Sequence, residues 1–556
     1  MIRVPGYPRG MSETKPKEKM GCLKKLLLAG SVGAAVLVLG TLLLYLLWFV
    51  PAVNEKPVLE RDYLAEWQGA EVAGDESTHA WPVMVRGVRE LGKAPSREID
   101  MGIGRVFDQP IGFDTRPGDD GWDEIEAYLG QEQINAALDR LREVTGKSVL
   151  GYRHTNEADP DLRVAMGASN PEIDITVPEP SDRPAMFSLI LSYVGIGIEQ
   201  GRTLSARAYL RGFAGEYGQE SVGEIEAAIA IGRHLERQRS GIVSRAGIEI
   251  VGRAAETALE TLARDADSIG AETLAGLDAV MAAWHGREPV DPFAYAVLSG
   301  RDLLQRVYDA DGNMTAFGVV AMSQEELELY DSGSMLSNPD EGLGSQPFWV
   351  KGYGVFARGA YPSREELEDL IDRFEPLGQA FGELEPWEAD PAVDPVKSIY
   401  EVVREAEQFG NVPLQIAYAH SIASGLAGEG AEAVSRVSAV RLAIAAIGHR
   451  NETGDWPRTA DELGDGSAWP DGFSGEPLRL IPGESGIVIY SVGTDRNDDG
   501  GRVCEEPTQY WWPANAAKME AADPEEYDGD WVLWTPDLDE VRTAEREAEA
   551  AEYADE

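Results

Sequence analysis

The chain has 556 residues, 43% of them hydrophobic, so it is long enough for two or three domains and too apolar to be wholly disordered. Its 97 acidic residues outnumber 49 basic ones and give a formal charge of -48 at pH 7. This charge argues against nonspecific binding to nucleic acid or to an anionic membrane surface. It favours cations or basic partners, unless the acid serves only solubility.

A long apolar segment follows a short basic N-terminus. Residues 1–25 contain seven Lys or Arg and two Glu, and residues 26–50 contain no ionisable side chain except that of Tyr45. A helix of this length, at 1.5 Å per residue, can cross about 30 Å of hydrocarbon. A cleaved signal peptide is the alternative, but its apolar core would have only about 7 to 15 residues. The segment therefore predicts a transmembrane helix at 26–50, with residues 1–25 as a cytosolic basic segment.

The predicted helix separates the two cysteines of the chain. Cys22 precedes it and Cys504 lies far beyond it, so the two cannot pair within one chain. The exported part therefore has no disulfide framework and must depend on an ordinary hydrophobic core. Residues 51–120 are predicted as a juxtamembrane and loop region, with a strand-like WPVMVRGV at 81–88 and a loop rich in Gly, Pro and Asp at 96–120.

Helical patterns dominate residues 121–430, which are predicted to form a body of helical hairpins that resembles a small α-solenoid. Apolar residues recur at helical spacing in 122–145 and in three successive segments within 184–264. Two capping boxes, at Ser221 to Glu224 and at Ser363 to Glu366, indicate helix starts. A turn is predicted at 309–313, and PFWVKGYGVFARG at 347–359 is strand-like.

From residue 431 the pattern changes to that of a small α+β module, predicted to end at 535 and to be followed by an acidic tail at 536–556. A helix at 433–450 leads into the turn Gly-Asp-Trp-Pro at 454–457 and a short helix at 460–463. Two strands follow, at 478–481 and 487–492.

The loop after the second strand has the composition of a cation site. Asp495, Asn497 and Asp499 alternate, Gly500 follows, and Glu506 completes the D-x-[DN]-x-[DN]-G-x5-E spacing of a calcium loop. The strand before the loop and a proline after it exclude the flanking helices of an EF-hand. We predict a structural calcium site at Asp495, Asn497, Asp499 and Glu506, with a Kd of about 10⁻⁴ to 10⁻³ M. The alternative is a solvated hairpin turn.

The order of elements in residues 431–535 resembles the C-terminal half of the major pseudopilin of type II secretion systems. The resemblance implies a small antiparallel sheet with a calcium-binding loop, and secretion or envelope components as protein partners. The apolar segment differs from the family, because it lacks the Glu that follows a prepilin peptidase site and ends at residue 50, far upstream of the module. The matching residues are Gly454, Trp456, Pro457, Asp471, Gly475, Pro477, Ser491, Gly493 and Asp495.

One stretch departs from the acidic average. Arg233, Arg237 and Arg245 lie in a segment of nearly balanced charge and form a candidate patch for an anionic ligand or an acidic partner. Ion pairs with the glutamates of the same chain are the alternative. No catalytic residues are predicted, because the sequence contains no H-E-x-x-H, P-loop or C-x-x-C motif and its six histidines are scattered.

Together these features predict a mainly α chain with an N-terminal transmembrane helix, an exported helical body and a small C-terminal α+β module. The predicted function is that of a membrane-anchored extracytoplasmic scaffold with a calcium-stabilised module, located in the bacterial inner membrane with most of the chain in the periplasm. Two alternatives stay open: an accessory component of a type II secretion or pilus-like system, and an extracytoplasmic hydrolase. The sequence leaves the oligomeric state open and gives no reason to expect nucleic acid as a partner.

Overall fold

The computed structural model describes residues 59–152, 192–322, 348–407, 419–502 and 530–538, together with residues 39, 43, 49, 50, 52, 57 and 186. Within the long ranges, residues 73, 93, 101–105, 114, 118, 287, 358–360, 390–392, 465–468 and 495 are not described. Several predicted features therefore lie outside the described residues. These are most of the apolar segment 26–50, both cysteines, the calcium ligands Asp495 and Glu506, and the acidic tail from residue 539.

The described part of the chain contains fourteen α-helices and two small antiparallel sheets. The N-terminal half has α1 Tyr63–Glu71, α2 Trp81–Leu91, β1 Ser96–Asp100, β2 Val106–Pro110, α3 Trp122–Leu129, α4 Glu132–Leu141, α5 Ser192–Arg211, α6 Gly218–Glu236, α7 Gly241–Asp265 and α8 Ala271–His285. The C-terminal half has α9 Ala294–Val307, α10 Ala316–Met322, α11 Phe348–Ala357, α12 Arg364–Gly382, α13 Val396–Glu407, α14 Ala419–Thr453, β3 Arg479–Gly483, β4 Gly486–Ser491 and β5 Trp531–Trp534. Short 3-10 turns lie at Glu76–Thr78, Arg142–Gly146, Gly215–Tyr217, Pro386–Glu388 and Ala460–Leu463.

Helix α7 is the centre of the helical body. It contacts α5, α6 and α14, and its inner side chains Val251, Ala255 and Leu262 are fully buried. Two glycines allow α6 and α7 to approach closely, since a Cβ at Gly232 would lie 2.6 Å from the Gly247 carbonyl oxygen. In a solenoid each repeat contacts only its neighbours in sequence. The contact of α7 with the distant α14 shows instead a bundle around a shared core.

The C-terminal sheet lies directly on this bundle. Strands β3, β4 and β5 are antiparallel in that order, and β5 contacts both α7 and α14. Trp534 on β5 is fully buried, and its indole N–H donates to the Leu259 carbonyl of α7 at 3.1 Å. Helix α14 runs unbroken from Ala419 to Thr453, so it continues across residue 431, where the sequence predicted a separate module to begin.

The predicted fold class is wrong in one essential part. The described chain is mainly helical with small sheets, as expected, but none of the helices that it contains is long and apolar enough to cross a membrane. Helix α14 has the length, at 35 residues, but it carries Glu429, Glu432, Arg436 and Arg441, charges that are costly inside a bilayer.

Two strand-like segments of the sequence are helices. WPVMVRGV forms most of α2, where Trp81, Met84, Val85 and Leu91 are buried at the spacing of a helix face. PFWVKGYGVFARG contributes α11. Short apolar runs fit a helix face and a strand equally well, so the surrounding core decides between them. Conversely, the predicted loop at 96–120 contains the antiparallel hairpin of β1 and β2.

The capping signals were partly correct. Ser363 begins α12 with a complete capping box, in which Ser363 and Glu366 each bond the other's backbone N–H. Ser221, in contrast, lies one turn inside α6, which begins at Gly218, and it is fully buried. The predicted turn at 309–313 is present, since one Asp309 carboxylate oxygen accepts the backbone N–H groups of Asp311 and Asn313, each at 2.9 Å.

Candidate calcium site

The register of the sheet places the predicted calcium loop beside the start of β5. Ser491, the last residue of β4, is paired with Trp531, the first residue of β5. The chain leaves β4 through the loop 493–502, and Asp530 then precedes β5. The backbone N–H of Asp530 donates to the Arg502 carbonyl at 2.6 Å, which joins the two segments. A residue about 30 positions away in sequence therefore lies against the loop.

Asp471 is the structural anchor of this end of the sheet. Its side chain is 1% exposed and accepts hydrogen bonds on both oxygens. The donors are Ser491 Oγ at 2.8 Å, Phe473 N at 3.0 Å and Ser435 Oγ at 3.3 Å on one oxygen, and Val492 N at 3.0 Å and Ser474 Oγ at 3.3 Å on the other. Ser435 belongs to α14, so this carboxylate ties the end of β4 to the helical body.

Asp498 also has a structural role within the loop. Its Oδ1 accepts the Tyr490 hydroxyl at 2.9 Å and the Gly500 N–H at 3.1 Å, and its Oδ2 accepts Arg479 Nε at 3.2 Å. Burial acts to raise the pKa of Asp498, but these hydrogen bonds outweigh it and hold the pKa below its ordinary value. The carboxylate thus stays ionised and fixes the loop to β3 and β4.

Asp530 is the carboxylate that the loop encloses. It is fully buried, and the Gly501 N–H donates to its Oδ2 at 2.6 Å. No described residue donates a hydrogen bond to Oδ1, although that atom is buried. Burial raises the pKa of Asp530, and the negative charges of Asp498 and Asp499 act in the same direction, against the backbone donors of the loop. A buried carboxylate oxygen without a donor, next to two further acids, is the arrangement that a cation would complete.

Asp499 is the second acid of this arrangement. Its side chain is 19% exposed, and its Oδ1 accepts the Asn497 amide at 3.2 Å. Its Oδ2 is buried without a hydrogen-bond donor among the described residues, with the Arg502 guanidinium 3.8 Å away. Arg502 therefore supplies a nearby positive charge at the position where a cation would bind.

The structure places two of the four predicted calcium ligands together and brings Asp530, which the sequence did not reveal, beside them. Asn497 and Asp499 lie in the described loop and contact each other, whereas Asp495 and Glu506 lie outside the described residues. Within the described ranges, no group of three or more His, Cys, Asp or Glu side chains is arranged as a complete metal site. Asp530 was missed because only strand pairing brings it to the loop, and a single Asp before a strand is no sequence signal.

The predicted arginine patch is divided between two helices. Arg245 on α7 donates from Nε to Glu429 of α14 at 2.6 Å, and this hydrogen bond raises the pKa of Arg245. Arg233 is half-buried in α6, and Arg237 is exposed just after this helix ends. For Arg245, the ion pair with a glutamate of the same chain is therefore the observed arrangement.

A further buried carboxylate lies in the helical body. Glu224 on α6 is fully buried, with Arg207 Nε at 2.8 Å and Arg211 Nη1 at 2.7 Å, both from α5. Arg207 also pairs with Asp139 of α4 at 3.0 Å. Burial raises the pKa of Glu224 to about 7, although both arginines act to lower it. This network joins three helices and has the character of a structural element.

Comparisons with protein families, with curated proteins and with solved structures gave no match to this chain. The resemblance to pseudopilins therefore stays a prediction from the sequence. The assignment of a function depends on the geometry around Asp530 and on the chemistry of its neighbours.

Proposed function

We propose that the protein is a binding scaffold whose C-terminal sheet is clamped by a calcium ion between the loop 497–502 and Asp530. The observation that carries the proposal is the buried Oδ1 of Asp530, which has no hydrogen-bond partner among the described residues, while the backbone N–H groups of Gly501 and Asp499 face the same carboxylate. A buried acceptor left without a donor costs about 1–3 kcal/mol, and more when it is charged. A bound cation would offset that cost.

Calcium suits the chemistry of these residues. It takes six to eight oxygen ligands in flexible geometry, and carboxylate, amide and backbone oxygens all serve. Asp499 and Asp530 would supply carboxylates, and Asn497 an amide oxygen. The sequence spacing adds Asp495 and Glu506 as further predicted ligands. The ion would neutralise repulsion among the acids and hold the start of β5 against the end of the β4 loop.

The role as a scaffold follows from what the clamp would stabilise. The sheet lies on α7 and α14 and is joined to α14 through Asp471 and Ser435. A calcium ion that fixes the sheet would therefore also fix one face of the helical bundle. Such a rigid surface suits a protein that presents partners to each other. The alternative roles in secretion or hydrolysis, and the location outside the cytoplasm, stay predictions.

Isothermal titration calorimetry on the full chain tests the proposal. We expect calcium to bind with a Kd of about 10⁻⁴ to 10⁻³ M, and magnesium to bind more weakly because it demands octahedral geometry. Asp530→Asn should weaken calcium binding at least tenfold. The matched control is Asp461→Asn, which removes one exposed carboxylate of the same region and should leave calcium binding unchanged.

Two results would contradict the proposal. Equal calcium binding by wild type and Asp530→Asn would place the ion elsewhere. Equal weakening by Asp530→Asn and Asp461→Asn would mean that calcium responds only to the net negative charge of the chain. Circular dichroism of both variants confirms that each keeps the wild-type helix content before titration.

A further inference from the structure

A second region of the structure has the properties of a ligand site. A cleft of about 120 Å³ opens between α7, the C-terminal end of α12, α14 and the segment that follows α8. Its apolar floor contains Ile248, Phe381 and Leu426, which are each more than nine-tenths buried. The cleft lies in the helical body and shares no residue with the candidate calcium site.

Glycines keep the walls of the cleft close together. A Cβ at Gly382 would lie 2.9 Å from the Val290 carbonyl carbon, so the end of α12 can touch the segment after α8 only with glycine at this position. On the opposite side, a Cβ at Gly430 of α14 would lie 3.2 Å from Pro386 Cγ. These close contacts hold the lining segments together, and the cleft volume of about 120 Å³ suits a small ligand.

The rim of the cleft is acidic. Glu288, Glu383 and Glu385 line it with exposed side chains, and Glu236 is a fourth acidic lining residue. None of the described lining residues is Lys or Arg. The Glu385 backbone N–H donates to the Glu388 carboxylate at 3.0 Å, which fixes that side of the rim. The site thus combines a narrow apolar floor with negative charge at its entrance.

We propose that this cleft binds a small alkyl amine, with the hydrocarbon chain on the apolar floor and ammonium groups at the rim carboxylates. Apolar contact and charge complementarity together select such a ligand over a neutral alcohol of equal length or an anion. A linear diamine fits better than a bulky cation, because the cleft has a volume of only about 120 Å³. The ligand site is independent of calcium and does not rest on the proposed clamp.

Titration calorimetry with 1,5-diaminopentane, carried out on the full chain in EDTA at low salt, tests this inference. We expect saturable binding, and at least tenfold weaker binding of pentane-1,5-diol, which has the same chain without charge. The double variant Glu288→Gln/Glu383→Gln should weaken diamine binding at least fivefold. Both side chains are exposed, so the fold should tolerate the change.

A matched double variant separates a site from the general acidity of the chain. Glu126→Gln/Glu143→Gln removes two exposed carboxylates outside the cleft and should change diamine affinity less than twofold. Equal weakening by the two double variants would overturn the proposal, as would binding of the diol as tight as that of the diamine. The calcium-site variant Asp530→Asn should bind the diamine like wild type, so failure of either proposal leaves the other testable.

Discussion

Asp471 and Asp530 are two buried carboxylates near the same end of β4, and their surroundings differ in one respect. Both oxygens of Asp471 receive hydrogen bonds, from two backbone N–H groups and three serine hydroxyls. The Gly501 N–H donates to Oδ2 of Asp530 and the Asp499 N–H also faces this carboxylate, while Oδ1 is buried with no hydrogen-bond partner among the described residues. Asp471 therefore has hydrogen bonds to both of its carboxylate oxygens, whereas Asp530 lacks one to Oδ1.

This difference in hydrogen bonding distinguishes a carboxylate that stabilises the fold from one that can bind a cation. A buried charge that is fully hydrogen-bonded stabilises the fold and has no capacity left for a ligand. A buried charge with an oxygen that receives no hydrogen bond costs stability, and a bound cation would offset that cost. Glu224 in the helical body is a third case, because two arginines pair with its Oε1 while its Oε2 is buried without a hydrogen-bond partner among the described residues.

The largest effect is expected at Asp471. The change Asp471→Ala leaves five donors around a buried cavity, and we expect a loss of about 3 kcal/mol or more of unfolding free energy, since hydrogen bonds to charged groups contribute about 1.5–3 kcal/mol each. Urea denaturation followed by tryptophan fluorescence measures it. Asp471→Asn keeps one acceptor oxygen and should give an intermediate loss. A loss below about 1 kcal/mol for the alanine variant would remove Asp471 as the anchor.

We expect Glu224 to make the unfolding free energy depend on pH, with an effect of similar size. Because burial raises its pKa to about 7 in the folded chain, from an ordinary value of 4.5, the folded state keeps a proton that the unfolded state has lost. Its contribution therefore lowers stability as the pH rises from about 4.5 to about 7. Over this window, Glu224→Gln should gain stability relative to wild type, by up to about 3 kcal/mol.

The pH prediction is measured as a difference between two proteins at each pH. Burial lowers the pKa of His234 to about 4, so His234 reduces the stability of the protein as the pH falls from 6.5 to 4. His234 is present in both proteins, so its contribution cancels in the difference. Urea denaturation of both proteins at several pH values between 4.5 and 7 gives the difference. A constant difference across the window would show that Glu224 is ionised throughout and that its arginines dominate over burial.

The change Asp530→Asn should reduce stability relative to wild type when calcium is present, and should not reduce it when calcium is removed. In EDTA, Asp530→Asn should unfold at the wild-type temperature or above it, because the change removes a buried charge that lies beside Asp498 and Asp499. With calcium at a hundred times its Kd, wild type should gain about 2.7 kcal/mol that the variant does not gain. Scanning calorimetry with and without calcium measures both. A strong loss of stability in EDTA would make Asp530 another anchor like Asp471.

The smallest effect is expected at Arg502. Its guanidinium lies 3.8 Å from Asp499 Oδ2 and is half exposed, so it competes electrostatically with a bound cation. The change Arg502→Gln should tighten calcium binding by twofold to tenfold, since a charge about 4 Å away contributes about 1 kcal/mol in water. Titration calorimetry gives the Kd. The control Arg458→Gln removes an exposed arginine elsewhere in the C-terminal part and should leave calcium affinity unchanged.

The sequence predicted local features better than those set by packing. The capping box at Ser363 depends only on residues within one turn, and the strands β3 and β4 follow from alternation around a short turn. WPVMVRGV was misread because its apolar run is too short to distinguish a helix from a strand. The unbroken α14 was not predicted, because the change of pattern at residue 431 was interpreted as the boundary between the helical body and the C-terminal module.

The candidate site was predicted in part for the same reason. The spacing of Asn497 and Asp499 is visible in sequence, and so is Asp471 as a motif residue. The two different roles of Asp471 and Asp530 depend on which donors the fold brings to each oxygen. That information lies in the pairing of β4 with β5 and in the contact of α14 with the sheet.

Terbium luminescence tests the central claim most directly, because Tb³⁺ replaces calcium at oxygen sites and emits when an excited tryptophan lies close by. Trp531 directly follows Asp530 in the chain, so terbium at the proposed site should give sensitised emission that calcium displaces. We predict that Asp530→Asn abolishes this emission and that Trp531→Phe reduces it strongly. Emission that is unchanged in Asp530→Asn would contradict a calcium ion held between the loop and Asp530.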